Sequence, residues 1–248
     1  MISFVIAIYI WFMKSELLLY LTAASIGFMH KVLGPDHYVP FIFMSQAGKW
    51  SRIKTLWITI LCGFGHIGSS VVIGLIGIAF GVALHKISVL ESFRGNIAAW
   101  LLIAFGLVYM IYGIKKAQKN KEHSHFHKHK DGDYHTHKHN HHEEHIHVHD
   151  SRDKSQMTAW ILFTIFIFGP CEPLIPLVMY PAAQNNTFSM VMVIILFGVT
   201  CIATMTSLVM FSLWGISFIN LKRFEKYTAA TAGATILLCG LAIQFLGI

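Results

Sequence analysis

The chain has 248 residues; 55% are hydrophobic, 12% are charged, and the mean hydropathy is +0.58. A soluble domain carries about 25% charged residues, so the composition excludes an ordinary soluble fold and leaves no room for a soluble domain beside an apolar one. The net charge of +7 comes from lysines and arginines at the ends of apolar runs, which reads as membrane topology and not as nucleic-acid binding.

The apolar residues fall into runs of about 20, the length of a helix that crosses a bilayer. Residues 1–15 form a short apolar segment that ends at Lys14 and Ser15. It lacks a basic leader and a small-residue cleavage site, so it does not read as a cleaved signal peptide. A seventh short span and a helix lying at the interface both remain open. Six spans follow, at 16–33, 55–84, 96–114, 157–180, 188–214 and 228–247. The expected fold class is an all-α integral membrane protein with six core transmembrane helices. One three-helix half (16–114) precedes a loop at 115–156, and a second half (157–248) follows it.

Basic residues set the orientation. With six spans, fifteen lysines and arginines fall on the side of the 115–156 loop, and only Lys14, Lys86 and Arg94 on the other. The bias predicts a multi-pass protein of the cell (inner) membrane with that loop in the cytoplasm.

Two helix breaks stand at equivalent positions. Gly34-Pro35-Asp36-His37 is matched 135 residues later by Gly169-Pro170-Cys171-Glu172. Leu61-Cys62-Gly63 is matched by Leu196-Phe197-Gly198 at the same offset, which sets His66 against Cys201. Gly106-Leu107 and Gly113-Ile114 are matched by Gly240-Leu241 and Gly247-Ile248 at an offset of 134. Three helices per half is an odd number, so the second half is expected to enter the membrane upside down. Inverted repeats with Gly/Pro-broken helices at matching positions predict a transport site near the midplane. Shared membrane composition is the plain alternative for such matches.

The first break offers His30, Asp36 and His37. Ionisable groups inside a bilayer cost about 2.5–3.5 kcal/mol on insertion scales, and they face polar paths. Gly34 and Pro35 free backbone groups to line such a path. Imidazole with carboxylate is a ligand set for nickel, cobalt, zinc or iron(II). In a loop at the membrane edge the same residues are merely solvated. The second break, "FGPCEPLIP", runs through Gly169 and Pro170 and offers Cys171 and Glu172 before Pro173. Cys171 is either a soft ligand or a small packing residue; Glu172 is either a ligand or a helix-end carboxylate in water. His66 lies mid-span in "GFGHIGSS", as a third imidazole of the path or as a histidine hydrogen-bonded across helices. Cys201 and Thr204 could extend a polar lining. All four cysteines (Cys62, Cys171, Cys201, Cys239) lie in apolar spans, which is no disulfide framework.

The loop carries 12 of the 16 histidines: His123, His125, His127, His129, His135, His137, His139, His141, His142, His145, His147 and His149. Such tracts bind transition metals by composition. The expectation is a segment without fixed structure in the absence of metal; a solvated linker is the bland reading.

These motifs resemble the nickel/cobalt exporter (NicO) family and, more distantly, the nickel/cobalt permeases. The resemblance rests on "HKVLGPDH", on the second-span histidine in "GFGHIGSS", on the histidine-rich loop between halves and on the Pro-Cys break in "GPCEP". It covers most of the chain as separate motifs. In the permeases four residues separate the first histidine from the Asp-His pair; here five do. "GPDHY" and "GPCEPLIP" also resemble urease-accessory-like and sulfite-exporter-like membrane proteins. Through the resemblance, His30, Asp36, His37 and His66 are expected as metal-path residues.

The expected function is secondary transport of a divalent transition metal, Ni²⁺ or Co²⁺ before Zn²⁺ or Fe²⁺, as substrate and with no obligatory cofactor. No nucleotide-binding motif is present, so the protein is not expected to be an enzyme or a pump driven by ATP. Its partners are lipid and the ion, and not nucleic acid. Three other readings stay open. An exporter of sulfite or another small anion wants cationic residues in the core, where Lys31 is the only one. A transmembrane thiol–disulfide electron carrier wants a cysteine at each break, whereas Asp36 stands opposite Cys171. The last is a membrane partner that senses or stores metal for a metalloenzyme.

Overall fold

The computed structural model describes residues 2–119, 123–128, 134–139, 150–218 and 222–247. It is helical: α1 (Ile2–Leu33), α2 (Val39–Ala47), α3 (Arg52–Ala79), α4 (Leu84–Lys119), α5 (Asp150–Phe168), α6 (Leu174–Ala183), α7 (Thr187–Ile216) and α8 (Thr228–Leu246). Among the described residues, five helices contain stretches long and apolar enough to cross a membrane: Lys14–Leu33, Arg52–Ala79, Leu84–Gln118, Thr187–Ile216 and Glu225–Leu246.

Two expectations are corrected. The N-terminal segment is not a separate element, because α1 runs through Lys14 without interruption. The span 157–180 is interrupted at its expected break, into α5 and α6, whose apolar parts Met157–Phe168 and Leu174–Ala183 are each too short to cross alone. Pro170 causes the division: it has no N–H to continue the ladder and disfavours helix at Gly169 before it. The third span starts not near residue 96 but at Leu84, which draws Glu91 and Arg94 into α4.

The same device acts in the first half. Gly34, before Pro35, leaves the helical region at φ −95°, ψ 89°. A 3-10 turn, Pro35–His37, leads to α2. Ser51 caps α3 by accepting from the Lys54 amide at 3.2 Å, and Asn186 caps α7 by accepting from the Ser189 amide at 3.0 Å.

Helix α1 runs beside α7. Glu16 accepts from Asn186 and from Ser189, each at 2.9 Å, and Gly27 meets Phe197 and Cys201 further on. Helix α2 continues along the later turns of α7, with Phe41 and Ile42 packed among Met205, Val209 and Leu213. The two pieces therefore follow one line, interrupted at Gly34. Helix α5 lies on α3, where Gly65 meets Phe163 and Ile167. Helix α6 follows with Leu174, Leu177 and Val178 against Ile67, Val193 and Phe197.

Helices α3 and α7 cross antiparallel: Gly63 faces Ile202, and Gly198 faces Ile67. Helices α4 and α8 are also antiparallel and closer still. Gly113 abuts Ala229 and Ala230, Gly106 abuts Gly233 and Leu237, and Gly240 abuts Ala99 and Ile103. Small residues allow such approach where apolar lipid gives helices no hydrophobic drive to pair.

In the histidine-rich tract, β1 (His123–Lys128) pairs antiparallel with β2 (Tyr134–His139), His123 opposite His139. Alternation of residue types is the period of a strand. His129, His141, His142, His145, His147 and His149 lie outside the described residues.

Candidate metal site

Gly34 ends α1, and the 3-10 turn that follows keeps the chain beside its last turn. His30 stays on α1, and the 3-10 turn carries His37 against it, ring centroids 4.7 Å apart. His66, at the middle of α3, meets His37 at 5.0 Å and lies stacked at 6.2 Å from His30. Each ring offers one nitrogen, and the three nitrogens lie within 4.8 Å of one another. Metal–nitrogen bonds of about 2.1 Å hold tetrahedral ligand pairs about 3.4 Å apart, so small ring movements close this group on an ion.

The rings are held from behind. His37 Nδ1 is 3.1 Å from Gly34 O and 3.1 Å from Asp36 Oδ1. His66 Nδ1 is 3.4 Å from Phe166 O. A carbonyl oxygen only accepts, so both Nδ1 atoms carry the hydrogen and leave Nε2 with its lone pair. This is how metal-binding histidines are oriented by carboxylate and carbonyl partners. The Nε2 atoms of His30 and His66 are buried without a hydrogen-bond partner. Leaving such an atom unsatisfied costs about 1–3 kcal/mol, which a ligand at the centre of the group removes.

Both break glycines touch these rings. A Cβ at Gly34 would lie 2.9 Å from His37 Cε1, and one at Gly169 3.0 Å from His66 Nδ1. Glycine is required at each for the ring to sit where it does.

A cavity of about 720 Å³ opens from the triad between α1, α4, the second break and the end of α8. Asp36, Glu172, Ser92, Asn96 and Gln244 line it with the three histidines. Toward the loop end the triad is covered by packed side chains; the Phe41 and Phe166 rings meet tilted at 4.7 Å, with Cys62 and Met205 buried beside them.

The expected site residues therefore separate into groups. His30, His37 and His66 converge. Asp36 joins through His37. Glu172 is exposed and lines the shared cavity. Cys171 turns away: it is fully buried in an apolar cluster with Ala23, Phe197 and Cys201. Cys201 gives its thiol to Gly27 O at 3.4 Å. Lys31 is 1% exposed, and its Nζ has no hydrogen-bond partner.

Two residues escape the sequence pattern. Arg94, counted among the basic residues outside the spans, and Glu91 form a buried ion pair at the second break. Their spacing of three, which pairs side chains on a helix, is the one signal that pointed to them. In comparisons with known proteins, no family model, no curated protein and no solved structure matches this chain. The functional reading therefore stands on the convergence of His30, His37 and His66 inside an apolar helical body.

Proposed function

We propose that the protein is a secondary transporter of a divalent transition-metal ion, with nickel or cobalt as cargo and export as the direction. The observation that carries this is the histidine triad, with two buried ring nitrogens lacking partners. Neutral imidazoles suit nickel, cobalt, zinc and iron(II). Asp36 and Glu172 add negative charge to the same cavity, which favours a cation. Metal taken up by histidine and carboxylate groups is exchanged for protons, so a proton gradient can drive the cycle.

The two halves are read as an inverted repeat of six spans, of which the first and fourth are broken. Paired contacts support it. The Gly63–Ile202 contact becomes Gly198–Ile67 when 135 is added to one residue and subtracted from the other. At an offset of 134, Gly106–Leu237 becomes Gly240–Ile103. A twofold relation between halves produces such exchanges, and these two pairs support it. The loop is assigned to the cytoplasm. With Arg94 buried in an ion pair, fifteen basic residues on the loop side face only the exposed Lys14 and Lys86 on the other.

The test is metal retained by cells loaded with nickel, cobalt, zinc or iron, with and without the protein. Lower retention of nickel or cobalt is expected. Higher retention reverses the direction, and no change for any metal defeats the reading. A second reading, export of sulfite or another small anion, is favoured by the buried Lys31, whose Nζ has no hydrogen-bond partner. Sulfite efflux that survives His37→Ala would favour it over metal transport.

A further inference from the structure

We propose that Glu91 and Arg94 are positioning residues for the metal site, acting on His66 through the second helix break; the proposal rests on the metal-site reading above. Arg94 Nη2 donates to Ile167 O at 2.7 Å, to Ser69 Oγ at 2.7 Å and to Gly169 O at 3.4 Å. These carbonyls stand at the end of α5, where Pro170 supplies no N–H. Ser69 Oγ in turn donates to the backbone carbonyl of His66 at 2.8 Å. Glu91 is fully buried and pairs with Arg94. Its Oε2 accepts from Ser70 Oγ at 2.9 Å and from the Cys171 amide, the first beyond Pro170, at 3.2 Å.

One ion pair on α4 thus takes up the open carbonyls before the break and the open amide after it. It also ties both to the turn of α3 that follows His66. Phe166 O, next to the clamped Ile167, is the carbonyl that receives His66 Nδ1–H. Where that carbonyl sits decides the tautomer and direction of the ring. His37 needs no such device, because Gly34 O and Asp36 of its own break reach its ring directly. A buried ion pair is a poor source of stability, since apolar residues of like volume often serve as well. An arrangement that holds the ends of a broken helix in register with a ligand uses its geometry instead.

The experiment uses the full chain with ¹⁵N-labelled histidine in lipid nanodiscs, the His66 signals being assigned with His66→Asn. The wild type is expected to show the Nδ1–H form at His66. Arg94→Lys, and the neutral pair Glu91→Gln with Arg94→Gln, are expected to convert it to mixed tautomers while the His30 and His37 signals stay. In proteoliposomes the KM for Co²⁺ is expected to rise about 10–100-fold, the usual cost of losing an outer partner of a metal ligand, with the maximal rate little changed. In the His66→Asn background the same variants are expected to add nothing further. Folded variants that leave the His66 signal unchanged, or that raise KM equally without His66, overturn the proposal. If the Arg94 variants do not fold, Ser69→Ala carries the same test by cutting the link between guanidinium and His66 carbonyl. A wild type with no saturable Co²⁺ flux defeats the transport reading alone, and the tautomer signal still decides the clamp.

Discussion

At the scale of single residues, the triad divides labour between ligands and the groups behind them. His37→Ala removes a ring nitrogen from the group of three, and Glu172→Ala removes a carboxylate from the shared cavity. Each is expected to abolish metal flux in proteoliposomes while the protein still inserts and elutes as one species. Near-normal flux in both variants would move the path elsewhere. Asp36→Asn is expected to act more mildly, because the carboxamide still accepts from His37 Nδ1 and keeps the ring oriented. Outer partners of metal-binding histidines are worth about 10–100-fold in affinity, so a rise in KM of that size is the expected readout. His30, His37 and His66 were legible in the sequence because ionisable residues in apolar runs have few other reasons to be there. Glu91 and Arg94 were not, because near the end of a span a charge reads as solvated. Only their contacts with Ser70, Ile167 and Cys171 reveal their burial.

At the scale of elements, glycines decide what the helices can do. Gly169→Ala would bring a Cβ within 3.0 Å of His66 Nδ1 and 3.2 Å of Phe166 O. The ring must then shift by a few tenths of an ångström against its carbonyl, so metal binding, followed by calorimetry on a loop-deleted chain, is expected to weaken with little change in the melting point. Gly106 is different: it abuts the Gly233 carbonyl and Leu237 backbone of α8 and touches none of the three rings. Gly106→Leu forces α4 and α8 apart and is expected to cost about 1–3 kcal/mol, as overpacking does. Thermal unfolding in detergent measures it; an unchanged melting point would mean the seam is not tightly packed. The Gly-Pro breaks were legible as interruptions. Their consequence was not, since α2 and α6 are held by packing on α7 and not by any local pattern of their own.

At the scale of the whole molecule, access and sidedness matter. The cavity leads from the triad toward the end of α8, and the loop end is closed by Phe41, Phe166 and Met205. A cytoplasmic collector feeding that closed end is expected to raise the local metal concentration there, as tethered sites do. Deleting residues 121–149 should then weaken efflux at low metal load and matter little at high load. Stoichiometric core binding should survive; its complete loss would remove the membrane site from the reading. Metal binding by the loop is expected to fall away below about pH 6, because imidazole must be neutral to bind and protonation competes. Titration of the isolated core against the full chain across pH 5–8 separates the two.

The sequence by itself determined the apolar helical character, the two breaks, the histidines and the charge bias, because each is a local property of composition or spacing. It also marked the offset of 135 that reappears in the paired contacts. Only the tertiary structure decided which groups meet. His30 and His37 converge with a ring from another helix, Cys171 turns into the apolar core, and Arg94 reaches from α4 to the carbonyls of α5. Those outcomes depend on how α3, α4 and the broken helices pack across gaps of tens of residues. No periodicity within one segment encodes a distance between two of them.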